Sequence, residues 1–337
     1  MDLKQLSRTL GLSPTTVSRA LNGYSDVSET TRKRVIEAAQ QAGYQPNVAA
    51  GRLALGKADA VAILYPPGVG ELGDPAFLAV VGGLTERFSE LGSDLLLITT
   101  QLKDELSTYA RMVRGRRVDA LIVARTRVHD ARVAFLIDSN FPFVAYGRTQ
   151  RCDEHPWFDF DNTAGTQLAV QRLVGFGHRD IGYVHSPLEL SFAAQRRDGF
   201  EAALRSAGLA CRPECVVGCG LGRRSGYEAM SRILALPKRP TAVIVDNNLG
   251  GIGAVRAMLD AGVVLGREMS VIVYDGVPED NLLSAPKVTS VAQPTAQRAG
   301  AKLADMAMAA QRRAPLAELQ VLWQPQLEAG ATDGPAP

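Results

Sequence analysis

The chain has 337 residues, of which 46% are hydrophobic and 21% charged, with a formal net charge of +2. It is too long for one ordinary domain, so a globular protein of two or three domains is expected. It opens on no basic-then-apolar signal pattern, and no apolar run reaches the about 18 residues that span a membrane, so a cytoplasmic protein is expected rather than an exported or membrane-embedded one.

The charge is uneven. Residues 1–57 carry eight Lys and Arg against four acids, a net +4, and the remainder is −2. A basic head on a near-neutral body suits contact with phosphates by the head alone. In that head, Leu3, Leu6 and Leu10 recur at helical spacing. Gly11 ends the helix where positive φ is tolerated, Ser13 caps the next one, and Pro14 sits in its first turn. Val17, Ala20 and Leu21 form the inner face of this second helix. Thr15, Thr16, Ser18 and Arg19 remain on its open face, the kind of helix the major groove accepts. Asn22-Gly23 makes a turn and Ser28 caps a third helix, ended by Gly43. Leu6, Leu10, Val17, Leu21, Val35 and Ile36 are the expected core of this all-α, helix-turn-helix bundle, residues 1–46.

Residues 47–57 follow as a linker. Asn47 is a good N-cap for two helical turns over 48–54, which are too short to be stable alone and are weakened by Gly51. From Ala60 the pattern alternates strands and helices. Strands are expected at 61–65, 94–100, 120–124 and 143–147, then at 181–185, 215–220, 242–246 and 270–275. Continuous apolar strands between amphipathic helices mean parallel sheets covered on both faces. Two runs of four suggest two similar α/β subdomains, completed by a helix over 296–311 and a strand over 319–323. The expected first subdomain is about 58–158 and 293–317, the second about 159–289 and 318–329, with a disordered tail at 330–337.

The glycines of residues 68–73 match GxGxxG after a strand, but Pro66-Pro67 and Asp74-Pro75 flank them and no acid ends the next strand. A ligand-edge loop is therefore the better reading than a dinucleotide site. No nucleophile elbow, HExxH or phosphate-binding loop occurs, so no enzyme, cofactor or metal is expected. Cys215 and Cys219 are about 13 Å apart along a strand, with no His near. His178, after Gly177 at a helix end, suits a structural cation role. Polar groups do gather at strand ends, where open α/β sheets bind ligands: Arg148, Asp159, Asp161, Arg196, Asn247 and Asp275. Carboxylates, amides and guanidinium groups there can pair with sugar hydroxyls, and Phe77, Tyr146, Trp157 or Phe158 can stack on a sugar's apolar face.

The runs LSPTTVSRALNG, VSETTRKRVIEAAQQAGYQPN and AAGRLALGK, then GFGHRDIGYV, RRDGF, AVIVDNNLGGIGAV and SVIVYDG, resemble the lactose-repressor (LacI/GalR) family of bacterial transcription regulators over nearly the whole chain. The resemblance implies a periplasmic-binding-protein-like core and a homodimer on a near-palindromic operator. It places Pro14, Thr15 and Arg19 at bases, Thr16 and Ser18 near phosphates, and Asn22 beside them. It pairs two hinge helices, with Asn47 and Ala50, in the minor groove, Leu53 being the wedge. It assigns Arg196, Asn247 and Asp275 to effector binding, and shows Gly147-Arg148 where many sugar-binding members have an aspartate. The implied function is a repressor of carbohydrate genes, released by a small sugar such as an α-glucoside or α-galactoside. The alternatives are a purine or sugar-phosphate corepressor, a sugar transport protein, or a nicotinamide-dependent dehydrogenase.

Overall fold

The computed structural model describes residues 2–21, 24–44, 57–65, 74–278 and 286–337. The chain divides into two compact units, Met1–Ala58 and Asp59–Pro337.

In the first unit, α1 (Leu3–Leu10), α2 (Pro14–Leu21) and α3 (Glu29–Gln41) form a small bundle. Asp2 and Gln5 close a capping box on α1, and Gly11 ends it at φ 65°. Ser13 Oγ accepts from Thr16 N at 3.0 Å and so caps α2, as its position suggests. Leu6, Leu10, Val17, Ala20, Val27, Val35 and Ala39 are the buried core. Ile36, expected inside, is 38% exposed. The inward stripe of α3 runs from Val35 to Ala39, four residues on, and leaves Ile36 to one side.

The second unit holds two six-stranded sheets. The first contains β1 (Ala60–Tyr65), β2 (Asp94–Thr99), β3 (Ala120–Val123), β4 (Phe143–Tyr146), β5 (Trp157–Phe160) and β11 (Gln320–Trp323), in the order β11-β5-β4-β3-β1-β2. The second contains β6 (Ile181–His185), β7 (Val216–Gly218), β8 (Ala242–Val245), β9 (Ser270–Tyr274), β10 (Thr289–Ala292) and β12 (Gln326–Glu328), in the order β12-β10-β9-β8-β6-β7. All neighbours are parallel except β10 and β12. The central strands are apolar and buried end to end, because helices cover both faces. On the first sheet, α4 (Pro75–Glu90) and α11 (Ala296–Gln311) pack closely enough that a Cβ at Gly83 would lie 2.0 Å from Gln297 O. No helix among the described residues is long and apolar enough to cross a membrane.

Four expectations are corrected. Trp157–Phe160 is a strand of the first sheet, and the strand expected at 319–323 pairs with it, Val321 opposite Phe158. The first subdomain therefore extends past the expected boundaries at 158 and 317 to take in the ends of both strands, Phe160 and Trp323. Thr289–Ala292 and Gln326–Glu328 add two strands to the second sheet that the apolar pattern, too short in each, did not mark. The tail is ordered. Thr332 is fully buried and donates to Val271 O at 2.8 Å, Asp333 pairs with Arg172, and Ala336 N donates to Phe176 O at 2.9 Å. It has little apolar surface to bury, yet its polar groups meet partners along the sheet edge. His178 is no exposed cation at a helix end: it is fully buried. Its Nε2 lies 3.0 Å from Gly334 O, a carbonyl that can only accept, so Nε2 carries a proton, and its Nδ1 meets Thr241 Oγ1 at 2.8 Å. Burial lowers its pKa. The linker helix over 48–54 and the glycine loop over 68–73 lie outside the described residues.

Candidate functional site

Two surfaces carry chemistry, one in each unit. In the first, Pro14, Thr15 and Arg19 are exposed on α2, with Thr16 and Ser18 partly buried beside them. The Arg19 guanidinium meets Asp26 through two contacts, Nε to Oδ1 at 3.2 Å and Nη2 to Oδ2 at 2.7 Å, and lies 5.1 Å from the Tyr24 ring centroid. An exposed pair of this kind adds little stability, but it holds a flexible side chain in one orientation. Asn22, Asn47, Ala50 and Leu53 lie outside the described residues.

In the second unit a cleft opens between the two sheets, at the carboxyl ends of their strands. The first subdomain contributes Tyr65, Asp74, Phe77, Arg125, Thr126, Tyr146, Gly147 and Asp159; the second contributes Asn162, Phe192, Arg196, Leu221, Asn247, Asn248 and Asp275. Arg196 is its centre. Helix α8 (Ser191–Ser206) carries it into a position 3% exposed, with Cζ 3.4 Å from the Tyr274 ring centroid and 4.8 Å from that of Phe192. Its Nε donates to Asn162 Oδ1 at 2.8 Å, its Nη1 to Asp246 O, and its Nη2 lies 3.6 Å from Asp275 Oδ2. Asp275 follows β9 in the left-handed region, φ 63°, which aims its carboxylate into the cleft. Burial pushes its pKa up to about 6, against the pull of Arg196.

The opposite wall is aromatic. Tyr65 stacks on Phe77 at 4.0 Å, and Arg125, itself at φ 51°, lies over Tyr65 at 4.4 Å and donates to its hydroxyl. At the mouth, Asn248 Nδ2 donates to Asp74 Oδ1 at 2.8 Å, one group from each subdomain. Gly147 is at φ 115°, and a Cβ there would lie 2.3 Å from Thr126 Oγ1, so this stretch of wall has no room for a side chain.

Of the residues expected here, Phe77, Asp159, Arg196, Asn247 and Asp275 line the cleft. Asn247 also caps α10 (Asn248–Asp260), accepting from Gly250 N at 2.7 Å and donating to Ser186 and Asp246. Arg148 and Asp161 are not among the lining residues. Arg148 turns back onto Asp159, Nε to Oδ2 at 2.9 Å, and onto Gln195. Burial raises the pKa of Asp159, and Arg148 opposes that rise. Asp161 caps α7 (Asn162–Gly175), accepting from Ala164 N at 3.0 Å. Of the proposed stacking aromatics, Tyr146 lines the cleft, while Phe158 is core and Trp157 donates to Cys152 O. Sequence reasoning missed Tyr65, Asp74, Arg125 and Phe192. The first three stand at strand ends or a helix start like those that were found, and only the wall they share with Phe77 sets them apart.

Comparison with known proteins matches residues 3–47 to the family model "Bacterial regulatory proteins, lacI family" and residues 58–321 to "Periplasmic binding proteins and sugar binding domain of LacI family". The chain is similar to the HTH-type transcriptional regulator RafR of Escherichia coli, 38% identical over 98% of both chains. It is also similar to the HTH-type transcriptional regulator AglR of Rhizobium meliloti, 36% identical over 100% of this chain and 95% of that one. Among solved structures, the transcriptional regulator CelR–cellobiose complex is 26% identical, with a TM-score of 0.74 over 98% of this chain and 99% of that one.

Proposed function

The chain belongs to the LacI family of bacterial transcription regulators, DNA-binding proteins and not enzymes, and we propose that it is a homodimeric, cytoplasmic repressor released from a near-palindromic operator by an uncharged sugar. The observation that carries the effector class is the cleft itself. Its lining holds three carboxylates and two guanidinium groups, and Arg196 is already engaged by Asn162, Asp246 and Asp275. A ligand with a phosphate or carboxylate meets net negative charge there, whereas sugar hydroxyls can donate to Asp275 and Asp74 while Phe77, Tyr146 and Phe192 cover the ring. The cellobiose bound by CelR belongs to the same chemical class. An α-glucoside or α-galactoside is the narrower reading.

The exposed Leu78 on α4, with Leu96 and Leu97 on the edge strand β2, supports the dimer: these side chains, 38–49% exposed, need a cover. In the proposed cycle α2 enters a major groove, with Pro14, Thr15 and Arg19 at bases. Thr16, Ser18 and Asn22 contact phosphates, and Asn47, Ala50 and Leu53 act in the minor groove. Effector closes the cleft, the first subdomain shifts, and the operator complex weakens, a coupling between two distinct sites.

A thermal-shift screen tests the effector class. Methyl α-D-galactopyranoside, methyl α-D-glucopyranoside, glucose 6-phosphate and hypoxanthine are each added to the purified protein. A ligand at 100 times its Kd adds about 2.7 kcal/mol to the folded state. Stabilisation by a neutral glycoside supports the proposal. Stabilisation by the phosphate or the purine alone keeps the family and replaces the effector.

A further inference from the structure

The loop that leaves β3 reaches across to the second subdomain. Val128 N donates to Glu189 O at 2.9 Å, Ser191 N donates to Thr126 O at 2.9 Å, and Arg127 faces Leu190 as an isolated antiparallel bridge. The backbone itself crosses between subdomains after β5, after β10 and after β11. This strap is a further, non-covalent crossing, and it lands on the first residue of α8, the helix that carries Arg196.

Each end of the strap is fixed by its own physics. At the first subdomain it is held by buried charge. Asp130 accepts from Arg127 N at 2.9 Å and from Arg132 Nη2 at 2.7 Å, and Glu105 accepts from Arg132 Nη1 at 2.5 Å and Arg127 Nη2 at 2.8 Å. Arg132 is 1% exposed and Glu105 3%. Bonds from Arg132 hold the Asp130 carboxyl below its usual pKa even though burial works against its charge. A buried network whose members are all paired contributes geometry more than net stability. At the second subdomain the strap answers a need of the helix. The leading N–H groups of a helix have no partner within it. Leu190, the N-cap of α8, offers no side-chain bond, and the Ser191 N–H is satisfied by Thr126 O, a carbonyl of the other subdomain.

We propose that residues 126–130 are a clamp that sets the first turn of α8, and with it Arg196, against the first subdomain, Arg132 and Ser191 being positioning residues for the coupling of ligand and DNA. The coupling rests on the effector reading above; the clamp does not. Ligand that shifts Arg196 moves the start of α8, and the strap passes that shift directly to β3 and its sheet.

Ser191→Pro tests this in the full-length protein. Proline is tolerated at the first position of a helix, and Leu190, at φ −79° and ψ 130°, already has the conformation that precedes it. Ser191 Oγ makes no hydrogen bond among the described residues, so the substitution acts through the backbone: the ring carbon that replaces the amide hydrogen removes the cross-subdomain bond and pushes Thr126 O away. By hydrogen exchange, the Val128 amide is protected in the wild type and exchanges about ten-fold faster or more in the variant, while β4 is unchanged. Unprotected Val128 in the wild type, or an unchanged rate in the variant, overturns the clamp. For the coupling, methyl α-D-galactopyranoside is the probe. The variant keeps its affinity for probe and for DNA within about two-fold, but the change in DNA affinity caused by the probe shrinks by about ten-fold. An undiminished change overturns the positioning role. A probe that fails to bind the wild type counts against the effector reading and leaves the clamp to be decided by exchange alone.

Discussion

At the scale of single residues, the cleft turns on Arg196 and Asp275. In the proposed complex Asp275 offers a sugar hydroxyl a charge-assisted acceptor only when ionised, and burial pushes its pKa up to about 6. Effector affinity therefore holds above pH 7 and falls as pH drops through 6, by about ten-fold for each further pH unit. Titration calorimetry at pH 7.5 and 5.5 checks this, and D275N removes the pH dependence together with most of the affinity. Arg196→Ala keeps DNA binding and loses the response to effector; a response that survives would displace Arg196 from the site. Asp275 was legible in the sequence because a strand end fixes where the backbone stands, and Arg196, more than a turn into α8, because it opens the RRDGF run of the family resemblance. Arg148 and Asp161 stand at such ends too, yet one folds back onto Asp159 and the other caps α7. Backbone position does not determine which way a side chain turns when a nearer partner competes for it.

At the scale of elements, the readable features were those with local causes. Ser13 caps α2 because its hydroxyl reaches Thr16 N, and Ser13→Ala should lower the stability of the head by about 1 kcal/mol, seen as a shift in its unfolding midpoint. The C-terminal tail had no local signal, since its order comes from distant partners. His178 ties it down through Gly334 O, and burial lowers its pKa. The unfolded chain takes up this proton as pH falls through about 6.5 while the folded chain does not, so the contribution is present above that pH and lost below it. His155, also buried with its pKa lowered by burial, acts in the same direction. Thermal unfolding of the wild type between pH 7.5 and 5 should lose more stability than that of H178Q. Equal losses would mean that His178 is protonated in the fold.

At the scale of the whole molecule, nine strands were legible as apolar runs, and the plan of two parallel α/β subdomains followed from them. The strands that escaped were Trp157–Phe160, which carries an aspartate, and the short Thr289–Ala292 and Gln326–Glu328. Their partners, not their composition, make them strands. The exposed leucines of α4 and β2 belong to this scale as well. Leu97→Asp should convert a dimer to monomers by sedimentation and weaken binding to a two-half-site DNA, and a dimer that persists would move the interface elsewhere. Removal of residues 1–58 should abolish DNA binding and leave glycoside binding intact, because the two units hold separate cores.

In the proposed cycle, ligand in the cleft changes the affinity of the head for DNA. The most direct test selects DNA from a random pool with the full-length protein. It then measures the affinity of the winning sequence by fluorescence anisotropy with and without the glycoside that stabilises the protein. A near-palindromic sequence whose binding weakens by about ten-fold or more with the sugar is the expected result. Selection of no sequence, or an affinity that the bound sugar leaves unchanged, would contradict the account.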